Sequence, residues 1–466
     1  MAPAELKISL DTAHGELLRA FVREACLADE LSPARASVMA DDAARLWAGL
    51  CANVAPGAAV RLIVAVMREH IVTRFILPGH DRFAGVFSAL LETIPSGGGL
   101  SYREKGVDGW ELQLSRPLSF VLEAHHVDEP PAEAPAEEEF TIDVPREVDT
   151  PAIARCFLQV YGHSYIHSEV FSPRRYWAKV KSGELIPVVA RKANGEVVGH
   201  VALEREPGSS VAERGQAVVL PAYRGHHLLE QMTAQLSKEA QRQGLIGVYA
   251  KPLTVHTFSQ RNDERDGMPP CALFLGARPE NMRPKGIATP TAGQRQSLLC
   301  TFRFLDTPEA RKCHAPDYYR ERISEIFDAL GAKVEHAFPK DPEGPSRTSV
   351  SASPLGDGAI HFDKIGANVA VELKQALTDV LGFGARSVQL EARLDDPGLS
   401  LLSDAARKLG FFFCGVGPAF GKGADMMIMQ YLVEPLDIGK LQLFSDRTKA
   451  LARFIEEDRA AVTGNA

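Results

Sequence analysis

The chain is short of several things that would have fixed its class at once. Its seven cysteines (Cys26, Cys51, Cys156, Cys271, Cys300, Cys313, Cys414) include no CxxC pair. Their odd number and wide spacing indicate neither a zinc knuckle nor a disulfide framework, and scattered thiols fit a reducing compartment. Basic residues are not in excess. Lys+Arg 52 against Asp+Glu 60 gives −8, which argues against a nucleic-acid partner or a charge-driven membrane surface. No apolar run approaches the roughly 18–20 residues that span a bilayer. The start, MAPAELKISLDTAHGELL, lacks the basic head and apolar stretch of a signal peptide. These absences together predict a cytoplasmic protein without a transmembrane segment. The pairs His125-His126 and His226-His227 lack i, i+4 spacing and a carboxylate companion, so no metal is expected. No GK[ST] follows Gly415-Val416-Gly417, which makes it a poor phosphate loop.

What is present is ordinary globular composition: 466 residues, 45% hydrophobic and 24% charged. That length suits two to four domains. One limit is plain. Residues 128–139, from Asp128 to Glu139, carry six acids and three prolines without a basic residue. Such a segment cannot bury enough apolar surface to offset chain entropy, and it reads as an extended linker. It also supplies −6 of the net −8, so the folded parts are nearly neutral.

Residues 1–127 show helical apolar spacing over 13–28 and 34–54, then strands over 60–67 and 71–76, a helix over 83–91, and a hairpin around Tyr102 and Trp110 turning at Val107-Asp108-Gly109. This α-α-β-β-α-β-β order resembles the anti-sigma-factor branch of the histidine-kinase-type ATPases. Asn53 stands where that family has its metal-holding Asn, but Gly49 replaces the Glu one turn earlier, and the DxGxG loop survives only as Leu77-Pro78-Gly79-His80-Asp81. The resemblance implies a degenerate ATPase-like α+β sandwich that does not bind ATP and is retained for packing or for a protein partner.

Residues 140–285 carry the chemistry. A strand at 140–144, helices at 150–161 and 173–183, and a hairpin over 186–204 with Asn194-Gly195 as a type I′ turn lead to the strand 215–221. Ala222-Tyr223-Arg224-Gly225-His226-His227 then turns the chain into an amphipathic helix bearing Leu228, Leu229, Met232, Leu236 and Ala240, stopped by Gly244, before a strand at 246–250. Strand, basic turn, helix, strand resembles motif A of the GNAT superfamily of N-acyltransferases, and Val219, Pro221, Tyr223, Arg224 and Gly225 match its "V-x-P-x-Y-R-G" start. His227 and Leu229 replace its later glycines. The competing reading is a plain βαβ crossover with a basic turn. The segment Thr254-Val255-His256-Thr257-Phe258-Ser259-Gln260 resembles the "T-x-H-x-x-S-Q" stretch of one GNAT branch, and Thr254 is a competent helix N-cap.

The resemblance implies acyl-CoA as co-substrate, acetyl or longer, its pyrophosphate bound by Arg224, Gly225, His226, His227 and Leu228 at the helix start. Val218, Val219 and Leu220 would meet the thioester carbonyl. Glu213 is the candidate base, against a solvated turn residue; Tyr249, His256 or Ser259 would return a proton to sulfur, with local hydrogen bonding the other reading of His256. Residues 286–466 show a further α/β series, and the Leu409–Pro418 run resembles the closing strands of GNAT folds. No Arg-Gly turn precedes a helix there. The expectation is a second GNAT-like domain without the CoA motif, hence two GNAT-like mixed α/β sheets behind the N-terminal sandwich. The function expected is acyl-CoA-dependent N-acylation of an amine, with a long-chain donor and an amino-lipid acceptor among the possibilities. The alternative is a non-catalytic, acyl-CoA-sensing regulator that binds a protein partner through its ATPase-like module.

Overall fold

In the computed structural model the described residues are 4–28, 31, 33–54, 56–67, 70–77, 90, 99–104, 110–117, 138–161, 165, 167–280, 293–353 and 356–464. They fall into two compact units, one formed by residues 1–130 with 147–178, the other by 131–146 with 179–466. The predicted helix at 83–91 (Leu90 apart), the turn 107–109, residues 78–81, His125-His126 and linker residues 128–137 lie outside the described residues.

The first unit begins with a strand the sequence reading did not anticipate, β1 (Ala4–Ser9). Two helices follow, α1 (Gly15–Ala28) and α2 (Pro33–Asn53), then β2 (Ala59–Met67), β3 (His70–Leu77), β4 (Gly99–Glu104) and β5 (Trp110–Pro117). The sheet is antiparallel in the order β1-β2-β3-β5-β4. Helical spacing puts Leu18, Val22 and Cys26 of α1, and Met39, Ala43, Leu46 and Leu50 of α2, in one core with Val60, Leu62, Val64, Phe75 and Leu112. Asn53 does not stand free at its helix end, since its amide donates to the carbonyl of Gly49 at 2.8 Å. This unit also holds α3 (Thr150–Tyr161) and the first six residues of α4 (Pro173–Ser182).

The second unit runs β6 (Phe140–Asp143), β7 (Leu185–Lys192), β8 (Val197–Glu204), β9 (Val211–Val219), α5 (Leu228–Arg242), β10 (Gly247–Ala250), α6 (Phe258–Arg265), β11 (Pro270–Arg278) and β12 (Gln296–Phe304). It continues with β13 (Arg311–Cys313), α7 (Asp317–Ala329), β14 (Val334–His336), β15 (Arg347–Ala352), β16 (Asp357–Lys364), α8 (Val369–Gly382), β17 (Ser387–Arg393), α9 (Leu399–Lys408), β18 (Phe412–Gly421), β19 (Ala424–Leu432) and α10 (Asp446–Thr463). The β7–β8 hairpin forms where expected, but its turn differs. Only Gly195 has positive φ, and Lys192 bonds to both Gly195 and Glu196, so the loop has three residues with a glycine bulge rather than a type I′ pair.

The expected pair of sheets is instead one. Twelve strands join in the order β15-β16-β17-β19-β18-β11-β12-β10-β9-β8-β7-β6. The sequence reading put β12 in the last third of the chain, yet it pairs between β10 and β11 and completes the first half of the sheet. The halves meet where Ala272 of β11 faces Gly415 of β18. A Cβ at Gly415 would lie 2.3 Å from the Cys271 carbonyl oxygen, so only glycine lets the two backbones approach closely enough to bond. Each half repeats one pattern: β9-α5-β10 with β12 and β11 beyond, then β16-α8-β17 with β19 and β18 beyond.

Candidate active site

β9 and β10 are parallel neighbours for only three pairs, Val211–Gly247, Ala212–Val248 and Glu213–Tyr249. From Arg214 onward β10 has no pairing with β9, while β9 runs on to Val219 against β8 alone. The strands part near a local distortion: Gln216 takes φ 47°, and the β8–β9 register shifts between His200 and Ala202. His200, wholly buried on β8, holds that bulge. Its Nδ1 lies 2.7 Å from the Gln216 carbonyl, which can only accept, so Nδ1 carries the proton. Burial pushes the imidazole down to about 4, and it stays neutral. The Leu220 amide donates to Val198 of β8. Strand alternation therefore turns the N–H and carbonyl of Val219 toward the opened side, while Val218 and Leu220 bury their side chains.

Beyond Leu220 the turn leaves backbone donors unused. Arg224 N–H reaches Pro221, and Gln231 N–H reaches His227. Among the described residues no acceptor meets the amides of Gly225, His226, His227, Leu228, Leu229 or Glu230. Helix α5 has 15 residues and buries Leu228, Met232, Leu236 and Ala240, so its start is held firmly. Successive free amides at a helix N-terminus form an anion site, and the macrodipole reinforces it. The His227 side chain does not close it. His227 adopts the left-handed conformation at φ 57°, a cost of roughly 1–2 kcal/mol for a side-chain-bearing residue. Its imidazole turns outward, 74% exposed, to Glu230 at 3.0 Å. The His226 ring packs edge-on to Phe140, and the exposed Arg224 has no ion pair among the described residues.

The corresponding corner of the second half is shut. β16 and β17 pair six times, from Asp357–Ser387 to Phe362–Ala392. Four amides of the turn that follows are occupied. Ile365 donates to the Asp396 carboxylate, Gly366 to Ser346 Oγ at 2.9 Å, Ala367 to the Gly344 carbonyl at 2.8 Å, and Val369 to Gly366. Asn368 accepts from the Ser346 amide in return, at 2.7 Å. The segment 344–346 lies so close that a Cβ on Gly366 would sit 2.3 Å from the Ser346 nitrogen.

Glu213 is not the turn residue the sequence offered as one reading. It lies within β9, and its carboxylate pairs with Lys251 at 3.1 Å. Burial works against the Lys251 charge, but Glu213 and Tyr249 outweigh it and its affinity for a proton rises. Burial likewise holds the Tyr249 phenol protonated well above its usual range. Lys251 lies 5.0 Å from the Tyr249 ring centre, and the ring of Phe420 comes to 4.6 Å from Tyr249. Val248, the residue before Tyr249, faces α5's side of the sheet with Arg303, which donates to Ser237. Glu213, Tyr249 and Lys251 therefore lie on the opposite face.

His256 and Ser259 are not brought to this group: no hydrogen bond or ring contact joins them to Glu213, Lys251 or Tyr249. His256 Nδ1 is buried without a hydrogen-bond partner, and burial lowers the affinity of its imidazole for a proton. Ser259 is exposed on α6. Thr254 does not cap that helix, which starts at Phe258; its hydroxyl donates to the Ser297 carbonyl at 3.0 Å. Gln260 ties the segment down, donating to His256 and Gln442 and accepting from Phe444. Sequence reasoning missed His200, Gln216, Lys251 and Phe420. An imidazole inside the apolar run Val197–Leu203 is a signal for the first; Phe420 gives none, because it comes from the other half.

No curated protein matches the chain. Among solved structures it is similar to the ribosomal-protein-S18-alanine N-acetyltransferase of Escherichia coli, at 14% identity over 36% of this chain and 96% of that one, TM-score 0.29. It is similar also to yncA of Salmonella typhimurium, solved with its cofactor acetyl-CoA, at 20% identity over 38% and 98%, TM-score 0.29. A third is the spermidine/spermine N-acetyltransferase SpeG of Vibrio cholerae, at 12% identity over 36% and 93%, TM-score 0.28. The acetyltransferase (GNAT) family model matches residues 152–262, the stretch that contains the parted strands and the open turn. The chain thus carries a GNAT acetyltransferase domain at residues 152–262.

Proposed function

We propose that this chain is an acyl-CoA-dependent N-acyltransferase acting on a small-molecule amine. The observation that carries the reading is the run of six unpaired amides, Gly225 to Glu230, beside the unpaired edge of β9. Bound acyl-CoA supplies a thioester whose acyl carbon gains the amine nitrogen as the carbon–sulfur bond breaks. The amides and Arg224 take its pyrophosphate. The Val219 main chain faces the arm that follows, and a donor N–H near the thioester oxygen steadies the charge that develops there. Glu213 accepts the amine proton, directly or through water, and Lys251 holds it in place by their ion pair. Tyr249, held protonated, returns a proton to sulfur.

The test is full-length protein with acetyl-CoA and a panel of primary amines, following free thiol and acetylated amine by mass spectrometry. Turnover is expected, and Glu213→Gln should lower kcat about 100-fold. Turnover unchanged by Glu213→Gln would remove Glu213 from the chemistry. Acetyl-CoA binding without transfer to any amine would favour the acyl-CoA-sensing role.

A further inference from the structure

The hairpin β18–β19 of the second half is bent in a way its own sheet does not need. Its pairing is broken between Gly417 and Gly421, and Ala419 and Lys422 take φ 57° and 54°. Asp425, nearly buried, fixes the bend: it accepts from the Ala419 amide at 2.9 Å and from Nε and Nη2 of Arg311, at 2.6 and 2.7 Å. Arg311 also reaches the Gly423 carbonyl. The product of the bend is the direction of Phe420. Its ring folds back over Gly417, where a Cβ would lie 2.5 Å from it, and comes to rest against Tyr249 of the first half. Non-glycine residues at positive φ are costly, and a bulge that re-aims a single side chain is a recurrent use of that cost.

Tyr249 is the last residue of β10 that pairs with β9, so it marks the inner end of the opened strands. Seven residues, about 23 Å of strand, separate Glu213 from Leu220 and the open turn. A donor anchored by its pyrophosphate at the turn and lying along β9 delivers its acyl end beside Tyr249, Glu213 and Lys251. We propose that Phe420, a residue of the second half, closes this inner end and restricts the donor to a short acyl chain. The proposal rests on the acyltransferase reading above. It departs from the long-chain donor that the sequence left open, because a longer chain meets the paired rings. It also gives the second half, with its own corner shut, a specificity-determining part in the first half's reaction.

Calorimetric titration of the full-length chain with CoA, acetyl-CoA and hexanoyl-CoA tests this, using Phe420→Ala and, as a milder change that preserves packing, Phe420→Leu. The wild type should bind acetyl-CoA at least tenfold more tightly than hexanoyl-CoA. Phe420→Ala should shrink that ratio at least fivefold, chiefly through tighter hexanoyl-CoA binding, with Phe420→Leu between the two. Equal affinity of the wild type for both thioesters overturns the proposal, and so does a ratio unchanged in the folded variants. Both outcomes leave the acyltransferase reading standing. Failure of the wild type to bind any CoA compound overturns that reading and this proposal with it.

Discussion

The corner at Val219–Leu228 and the corner at Lys364–Val369 join parallel strands through a helix in the same order, β9-α5-β10 and β16-α8-β17. They differ in two respects. In the first, strand pairing stops after three residues and six successive amides meet no acceptor among the described residues; in the second, pairing runs for six residues and the amides of Ile365, Gly366 and Ala367 are taken by Asp396, Ser346 and Gly344. The glycines are also placed oppositely. Gly225 stands in open space at φ 91°, whereas Gly366 is pressed against the 344–346 segment. A backbone site for an anion therefore depends less on strand–turn–helix topology than on whether another segment of chain has already taken the donors. A buried amide is nearly always paired, so an exposed run of unpaired ones is the informative feature.

Charge reversal at matched positions should separate the corners most sharply. Arg224→Glu is expected to weaken acetyl-CoA binding at least 100-fold. Lys364→Glu, an equally exposed cation at the shut corner, should change it less than twofold. Equal losses in the two variants, measured by calorimetry, would erase the distinction.

Acid should act on the open corner through His200. Its folded value is about 4 against 6.5 when unfolded, so the unfolded chain takes up the proton first. The stability that the neutral imidazole contributes is fully present above pH 6.5 and is lost as pH falls through 6.5 to 4, roughly 3 kcal/mol in all. Urea titrations of wild type and His200→Gln across that window check it. The variant should be less stable at pH 7.5 and lose less between pH 6.5 and 4.

The smallest effect belongs to the shut corner. Ser346→Ala strands the Gly366 amide and should cost about 1 kcal/mol in urea unfolding without altering acetyl-CoA binding. A gain of a second acetyl-CoA site in that variant would show that Ser346 alone holds the corner closed.

Much of this was legible in the sequence because it is local. The helices at 150–161 and 228–242, the strands of the last third and the turn at 221–227 follow from apolar spacing and from glycine, proline and asparagine at punctuating positions. What escaped depends on contacts distant in sequence. β1 is a half-buried edge strand with little apolar signal. The fusion of two sheets rests on one glycine, Gly415, lying against Ala272, and the closure of the second corner rests on a loop some twenty residues upstream. The ion pair of Glu213 needs only Lys251, yet the turn-residue reading arose because β9 begins four residues earlier than the apolar pattern shows. Thr254 has the chemistry of a cap, but Ser297, 43 residues away, takes its hydroxyl.

The most direct test is the stoichiometry of acetyl-CoA binding to the full-length chain by isothermal titration calorimetry. One molecule per chain, lost on Arg224→Glu, is the expected result, since the first corner offers a continuous run of six free donors and the second does not. Two molecules per chain, or one that persists in Arg224→Glu, would contradict it.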